Sequence, residues 1–158
     1  MKILVPLKRV ADPDNANKVK IPASGEKIET TGLEWKPNPF DEYALEAALR
    51  RPFERIYVAG SSSGAYFVTA LALGGGFEAD GWAALSGGAR DVRTGGAKRP
   101  FYVGYGAADP TNAGPKALGA FLKAEGWPVR VSEHPGGHGA REVYLVEALE
   151  HWAAAEAP

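Results

Sequence analysis

Ser62 stands at the centre of Gly60-Ser61-Ser62-Ser63-Gly64, which matches the pattern G-x-S-x-G. The preceding run 56–59 is β-branched and aromatic, as in a buried strand, and residues 65–73 form an apolar stretch typical of a buried helix. A serine on a sharp strand-to-helix turn projects its Oγ above the sheet at a helix N-terminus, where backbone N–H groups can bind an oxyanion. The spacing therefore predicts a nucleophilic serine. The alternative is a Ser/Gly-rich turn without chemistry.

A nucleophilic serine needs a base, and the chain has three histidines from which to choose. His138 lies in a Gly-Gly-His-Gly loop between a predicted strand and the final helix, where an exposed imidazole can reach the carboxyl edge of a sheet. We therefore predict His138 as the general base. His134, at the strand end, and His151, inside the final helix, fit structural roles better.

The acid that orients the base is expected in the loop after the penultimate strand. Asp109 lies there, in Gly106-Ala-Ala-Asp-Pro110. The residues then follow the order Ser, Asp, His, each after a different strand of one parallel sheet, and ligand sites lie at those carboxyl ends. A structural turn aspartate before proline is the alternative, and Asp80 and Asp91 are weaker candidates for the acid.

Composition narrows the classes of function. The chain has 158 residues, a net charge of −1 and no cysteine. The length is sufficient for one hydrophobic core. The net charge gives no electrostatic reason to expect binding to nucleic acid or to an acidic membrane surface. The absence of cysteine excludes disulfides and thiolate chemistry. The apolar run between Lys2 and Lys8 is too short for a signal-peptide core, so we expect a cytoplasmic protein.

The pattern of elements predicts an α/β fold with a mostly parallel sheet and helices on both faces. A small β-hairpin is expected near the N-terminus, with arms at 17–22 and 26–31. The remaining predicted elements are strands at 2–7, 55–59, 81–86, 100–105 and 128–132, and helices at 41–50, 64–73, 113–125 and 141–155. The final helix is expected to present Leu145, Val146, Leu149 and Trp152 as its apolar face.

Residues 52–158 resemble the C-terminal half of an α/β-hydrolase, particularly esterases related to polyhydroxybutyrate depolymerases. The matching segments are Val58-Ala-Gly-Ser-Ser-Ser-Gly-Ala-Tyr66, Tyr105-Gly-Ala-Ala-Asp-Pro110 and Pro135-Gly-Gly-His-Gly139. The resemblance implies Ser62 as nucleophile, His138 as general base and Asp109 as the residue that orients it. It implies a truncated hydrolase fold, with no metal and no cofactor.

Residues 1–50 are similar to a different family, the N-terminus of the electron transfer flavoprotein beta subunit. The similarity lies in Met1-Lys-Ile-Leu-Val-Pro-Leu-Lys-Arg-Val10, in the hairpin 18–29 and in Asn38-Pro-Phe-Asp-Glu42. In that family these parts help bind AMP. We therefore interpret the chain as a chimera, natural or made, in which segments 1–51 and 52–158 form a single composite domain.

An oxyanion hole needs two donors. One is expected from the backbone N–H of Ser63, and the chain lacks an H-G-G-G type sequence that would supply the second. If strand 2–7 lies beside the serine strand through a right-handed crossover, N–H groups around Lys8 and Arg9 would substitute. The alternative is that no second donor exists.

These observations favour a serine hydrolase of the carboxylesterase type, acting on small, short-chain acyl esters. Two alternatives stay open: an inactive folded chimera, and an AMP-binding module left from the flavoprotein segment. Loss of hydrolase strands would leave sheet edge and apolar side chains uncovered, with Leu4, Val5, Trp35, Phe77 and Trp82 as candidates. We therefore expect a homo-oligomer, with exchange of segments between copies as one route to it.

Overall fold

The computed structural model describes residues 8–12, 14, 18–25, 29, 32–37, 43, 46, 53–88 and 95–156. The chain divides into two compact units, Met1–Phe53 and Glu54–Pro158. This boundary lies close to residues 51–52, where the resemblance to one family gives way to the resemblance to the other. That the two parts form one composite domain stays a prediction.

The N-terminal unit contains two short antiparallel strands, β1 (Arg9–Ala11) and β2 (Trp35–Pro37). Between them a bridge joins Lys20 to Glu29, and Pro22 accepts a hydrogen bond from Gly25, whose φ of 67° suits glycine. This bridge and turn agree with the predicted hairpin, although most of its second arm, 26–31, lies outside the described residues. The predicted strand 2–7 lies outside the described residues, as does helix 41–50 apart from two helical positions, 43 and 46.

The C-terminal unit alternates strands and helices, as the sequence predicted. Its elements are β3 (Tyr57–Ser61), α1 (Ser63–Gly74), β4 (Gly81–Leu85), β5 (Phe101–Gly106), α2 (Ala113–Ala124), β6 (Val129–His134) and α3 (Glu142–Glu156). The four strands are parallel and lie in the order β3-β4-β5-β6. Because all four run the same way, their carboxyl ends lie along one edge of the sheet.

Helices cover both faces of this sheet. Residues of β4 and β5 are buried along their whole length, as expected for central strands of a covered parallel sheet. Trp82, Ala84, Phe101 and Val103 pack with α1 and α2 on one face. Ala83, Leu85 and Tyr102 pack with α3 on the other face. The α/β prediction is confirmed. Trp82, however, is buried, so its predicted place on an uncovered surface was wrong.

The final helix buries the predicted apolar face only in part: Trp152 is buried and Leu145 packs, partly buried, against the core, as expected. Tyr144, Ala148 and Trp152 are buried, whereas Val146 and Leu149 are about half exposed. The spacing of four residues aligns the buried three on one stripe. The Trp152 ring stacks on Tyr57 with the ring centroids 4.6 Å apart, and this contact holds Trp152, one of the predicted residues, against the sheet.

Among the helices that the structure describes, none is both long enough and apolar enough to span a bilayer.

Candidate active site

Ser62 occupies a strained turn between β3 and α1. Its φ is 54° and its ψ is −115°, a backbone conformation that costs a non-glycine residue about 1–3 kcal/mol. The Ser62 N–H donates to the carbonyl of Leu85 at 2.8 Å, so the end of the neighbouring strand β4 holds the turn in place. Strain of this kind, fixed by surrounding hydrogen bonds, is typical of a serine displayed for chemistry.

The two glycines of the motif have unequal roles. A Cβ on Gly60 would overlap the carbonyl of Gly64 and lie 2.8 Å from Cγ2 of Val68, so the turn requires glycine there. A Cβ on Gly64 would meet no atom of the described residues within 4 Å. Of the two motif glycines, the turn therefore requires a small residue only at Gly60.

Ser62, His138 and Asp109 form a continuous chain of hydrogen bonds. Nε2 of His138 lies 2.9 Å from Oγ of Ser62, and Nδ1 lies 2.9 Å from Oδ2 of Asp109. A carboxylate only accepts hydrogen bonds, so Nδ1 carries the proton and Nε2 accepts from the serine hydroxyl. In this tautomer the imidazole is arranged to take the Ser62 proton.

Asp109 is buried, and its carboxylate is well supplied with donors. Thr111 donates to Oδ1 twice, from its N–H at 2.8 Å and from its hydroxyl at 2.7 Å. Burial alone would raise the pKa of Asp109, but the Thr111 and His138 hydrogen bonds outweigh it and hold this pKa below its ordinary value. The Asp109 carboxylate is therefore ionised at any pH at which His138 could act as a base.

Glycines allow the His138 loop to cross the end of β5. A Cβ on Gly106 would overlap the carbonyl oxygens of Gly136 and Gly137, so the loop passes directly over this strand end. Gly136 and Gly139 have φ values of 118° and 138°, which glycine adopts readily. The loop is thereby brought from β6 back toward Ser62.

The other candidate acids and bases lie away from Ser62. His134 is the last residue of β6, at the strand end as predicted, and its Nε2 lies 3.0 Å from Oε2 of Glu147. His151 contacts the carbonyl of Pro128 at 3.1 Å. Asp80 accepts the N–H of Ile56 at 2.8 Å, at the opposite end of β3. Asp91 lies outside the described residues.

Two residues beside the triad were missed from the sequence. Thr111 lies two positions after Asp109, a spacing typical of a turn in which an aspartate accepts from the following backbone, and that signal was readable. The Ser86 hydroxyl donates a hydrogen bond to the carbonyl of Gly139, which is 53 positions away in the chain. No local pattern indicates that contact.

The predicted oxyanion donors fall in different units. Ser63 is the first residue of α1, so its N–H belongs to the first turn, where N–H groups have no partner within the helix. Lys8 precedes β1 and Arg9 begins it, in the N-terminal unit. The part of Lys8 and Arg9 in an oxyanion hole stays a prediction.

A cavity of about 410 Å³ opens at the other end of the sheet. Ala79 and Trp82 line it near the start of β4, together with Phe77 and Arg99. These residues lie at the amino ends of the strands, whereas the triad lies at the carboxyl ends. The cavity is therefore separate from the triad. Within the described ranges, no group of three or more His, Asp or Glu side chains is placed to hold a metal ion.

No protein-family model matches the chain. A 50-residue stretch is 46% identical to the electron transfer flavoprotein subunit beta of Bradyrhizobium diazoefficiens and 44% identical to that of Dictyostelium discoideum. The match covers 32% of this chain and 19% of each subunit, so the chain spans under a fifth of these relatives. One part of the chain is therefore similar to that subunit.

Solved structures resemble a larger part of the chain. A protein of unknown function from Agrobacterium tumefaciens, Atu2452, has a TM-score of 0.53 and 22% identity, over 74% of this chain and 58% of its own. A variant of Arabidopsis thaliana SOBER1 has a TM-score of 0.54 and 24% identity, over 71% of this chain and 58% of its own. At these identities the likeness supports the α/β fold alone.

Proposed function

We propose that this protein is a serine hydrolase that cleaves short acyl esters through an acyl-enzyme on Ser62. The observation that carries the proposal is the hydrogen-bond chain from Asp109 through His138 to Ser62. The strained turn at Ser62 adds support, because it presents Oγ at the N-terminus of α1. The α/β-hydrolase-like fold is compatible with this chemistry.

The first half-reaction would form the acyl-enzyme. Ser62 Oγ attacks the ester carbonyl as Nε2 of His138 takes its proton, and the negative charge on the carbonyl oxygen faces the N–H of Ser63. The tetrahedral intermediate collapses with cleavage of the ester C–O bond, and His138 returns the proton to the leaving alcohol. Asp109 keeps the imidazole in the productive tautomer and stabilises its cation.

The second half-reaction would regenerate the serine. Water occupies the place of the alcohol and gives a proton to His138 while its oxygen attacks the acyl carbon. The second tetrahedral intermediate releases the carboxylic acid, and the proton returns to Ser62 Oγ. Every step uses groups of this chain and water, so the proposed mechanism requires no metal or cofactor.

The test is a burst-phase assay with p-nitrophenyl acetate on wild type, Ser62→Ala and His138→Ala. His151→Ala is the matched control, because it removes an imidazole that lies in α3 away from the triad. Mass spectrometry after treatment with a fluorophosphonate probe reports the labelled residue. We expect single labelling on Ser62, loss of turnover in both triad variants and wild-type turnover in the control.

The two alternatives predict different results. An inactive folded chimera would give no label and a background rate equal in all variants. A nucleotide-binding module is suggested by the stretch that resembles the flavoprotein subunit. It would bind AMP saturably in calorimetry, with no change in affinity on Ser62→Ala.

A further inference from the structure

Ser86, the residue after β4, has a backbone that does not suit a serine. Its side chain is fully buried, and its φ of 50° lies in the left-handed region. Glycine would adopt this conformation with less strain. What serine offers at this position that glycine lacks is a hydroxyl group. The Ser86 N–H donates to the carbonyl of Gly104 at 2.7 Å, which fixes the backbone of Ser86 against β5.

The Ser86 hydroxyl holds the residue that follows His138. It donates to the carbonyl of Gly139 at 2.9 Å and accepts from the Gly139 N–H at 3.3 Å. Both backbone groups of Gly139 are thus bound by one side chain. We call these two hydrogen bonds the Ser86 clamp. Because Gly139 is covalently joined to His138, the clamp fixes the backbone position from which the imidazole extends.

The same short segment also holds the nucleophile. Leu85, next to Ser86, accepts the Ser62 N–H at 2.8 Å. On the other side, a Cβ on Gly87 would lie 2.7 Å from the carbonyl oxygen of Ser62, so the serine turn packs directly on this segment. The end of β4 is therefore the common support of the serine turn and the histidine loop.

We propose that Ser86 is a positioning residue that sets the distance between His138 and Ser62. The histidine loop starts from β6, which is separated from β3 by two intervening strands. The Ser86 clamp ties this loop to the strand adjacent to β3. Without the hydroxyl the loop would lose this tie, and the imidazole would sample positions away from Ser62 Oγ. This role rests on the proposed serine hydrolase function.

The test compares Ser86→Ala and Ser86→Gly with wild type, because glycine also removes the backbone strain. Ser132→Ala is the control, since it removes a serine hydroxyl from β6 outside the triad. We expect kcat for p-nitrophenyl acetate to fall by about 10²-fold in both Ser86 variants, the size of effect that a displacement of about 1 Å produces. KM should change little, and the control should keep wild-type turnover.

A second readout does not depend on turnover. The ¹⁵N shifts of the His138 ring, assigned with His138→Ala, should show a fixed Nδ1–H tautomer in wild type and in Ser132→Ala. They should show exchange between tautomers in both Ser86 variants. Unchanged shifts in both variants would overturn the inference, as would exchange already present in wild type.

Folding and function are separated in the same experiment. If neither Ser86 variant folds, as judged by circular dichroism, the role is structural and the inference is overturned. If wild type shows no Ser62-dependent turnover, the proposed esterase function fails. In that case the nitrogen shifts still decide whether Ser86 positions the imidazole.

Discussion

Nε2 of His138 lies 2.9 Å from Oγ of Ser62, although 76 positions separate the two residues. They belong to loops that follow β6 and β3, the first and last strands in the order of the described sheet. At the usual spacing between strands, these two strands lie roughly 14 Å apart. The histidine loop must therefore run back across the sheet edge, over Gly106 and past Ser86.

Asp109→Asn should lower kcat by roughly 10⁴-fold while the fold is kept. The asparagine oxygen can still accept from Thr111, which leaves its NH₂ group facing Nδ1 of His138. The imidazole must then carry its proton on Nε2 and cannot accept one from Ser62. The measurement is ester turnover, with a thermal melt as control. Turnover within tenfold of wild type would contradict the assigned role of Asp109.

Thr111→Val should raise the pKa of Asp109 and lower the free energy of unfolding by about 1–3 kcal/mol, the usual cost of losing a hydrogen bond to a buried charge. Thr111→Ser keeps the hydroxyl and is the matched control. Carboxyl ¹³C titration reports the pKa, and urea unfolding reports the stability. The same Asp109 pKa in the valine and serine variants would show that the hydroxyl does not hold it down.

Gly60→Ala should destabilise the protein, whereas Gly64→Ala should not. The first Cβ overlaps the carbonyl of Gly64, and overpacking of this kind costs about 1–3 kcal/mol or more. The second has open space among the described residues and replaces a helical glycine, which usually gains up to about 1 kcal/mol. Urea unfolding of both variants tests the contrast. Equal losses of stability would argue against the observed turn geometry.

The stabilising contribution of Glu147 should be lost in acid. Burial would raise its pKa, but hydrogen bonds from Tyr102, His134 and Ser132 outweigh it and lower this pKa from 4.5 to about 2. A carboxylate with a depressed native pKa stabilises the fold fully above its unfolded pKa, and this contribution is lost as the pH falls from about 4.5 through about 2.

The measurement for Glu147 is the free energy of unfolding of wild type and Glu147→Gln between pH 2 and pH 7. Glutamine cannot ionise, so the advantage of wild type over this variant should shrink across that acid window. The pKa of Tyr102 is raised, mainly by burial and then by its hydrogen bond to Glu147. A stability difference that does not depend on pH would contradict the assignment.

We expect the protein to form a dimer or a higher oligomer in solution. Trp35 and Phe77 are 42% and 43% exposed, and Phe67 is 64% exposed. Leu4 and Val5, also proposed for such a surface, lie outside the described residues. Light scattering at micromolar concentration is the measurement, and the mass of a single chain throughout would contradict the expectation.

The sequence by itself determined the elements of the C-terminal unit and the positions where chemistry is expected, but it did not predict the antiparallel pair β1 and β2. Apolar runs bounded by glycine and proline indicated the strands of the C-terminal unit, and G-x-S-x-G marked the turn at Ser62. The order of Ser62, Asp109 and His138 along the chain matched one edge of a parallel sheet. These signals are local, because backbone conformation and strand burial depend on neighbouring residue types.

Only the tertiary structure decided which side chains meet. The clamp of Ser86 on Gly139 joins residues 53 positions apart, and it depends on strand order and on the path of one loop. The buried face of α3 depends on the rotation of the helix against the sheet. Trp152 stacks on Tyr57 of β3 and donates to the carbonyl of Trp82 in β4, and Tyr144 packs beside His134 of β6. Side-chain pattern specifies that a face is apolar. Packing against the sheet selects which apolar face is buried.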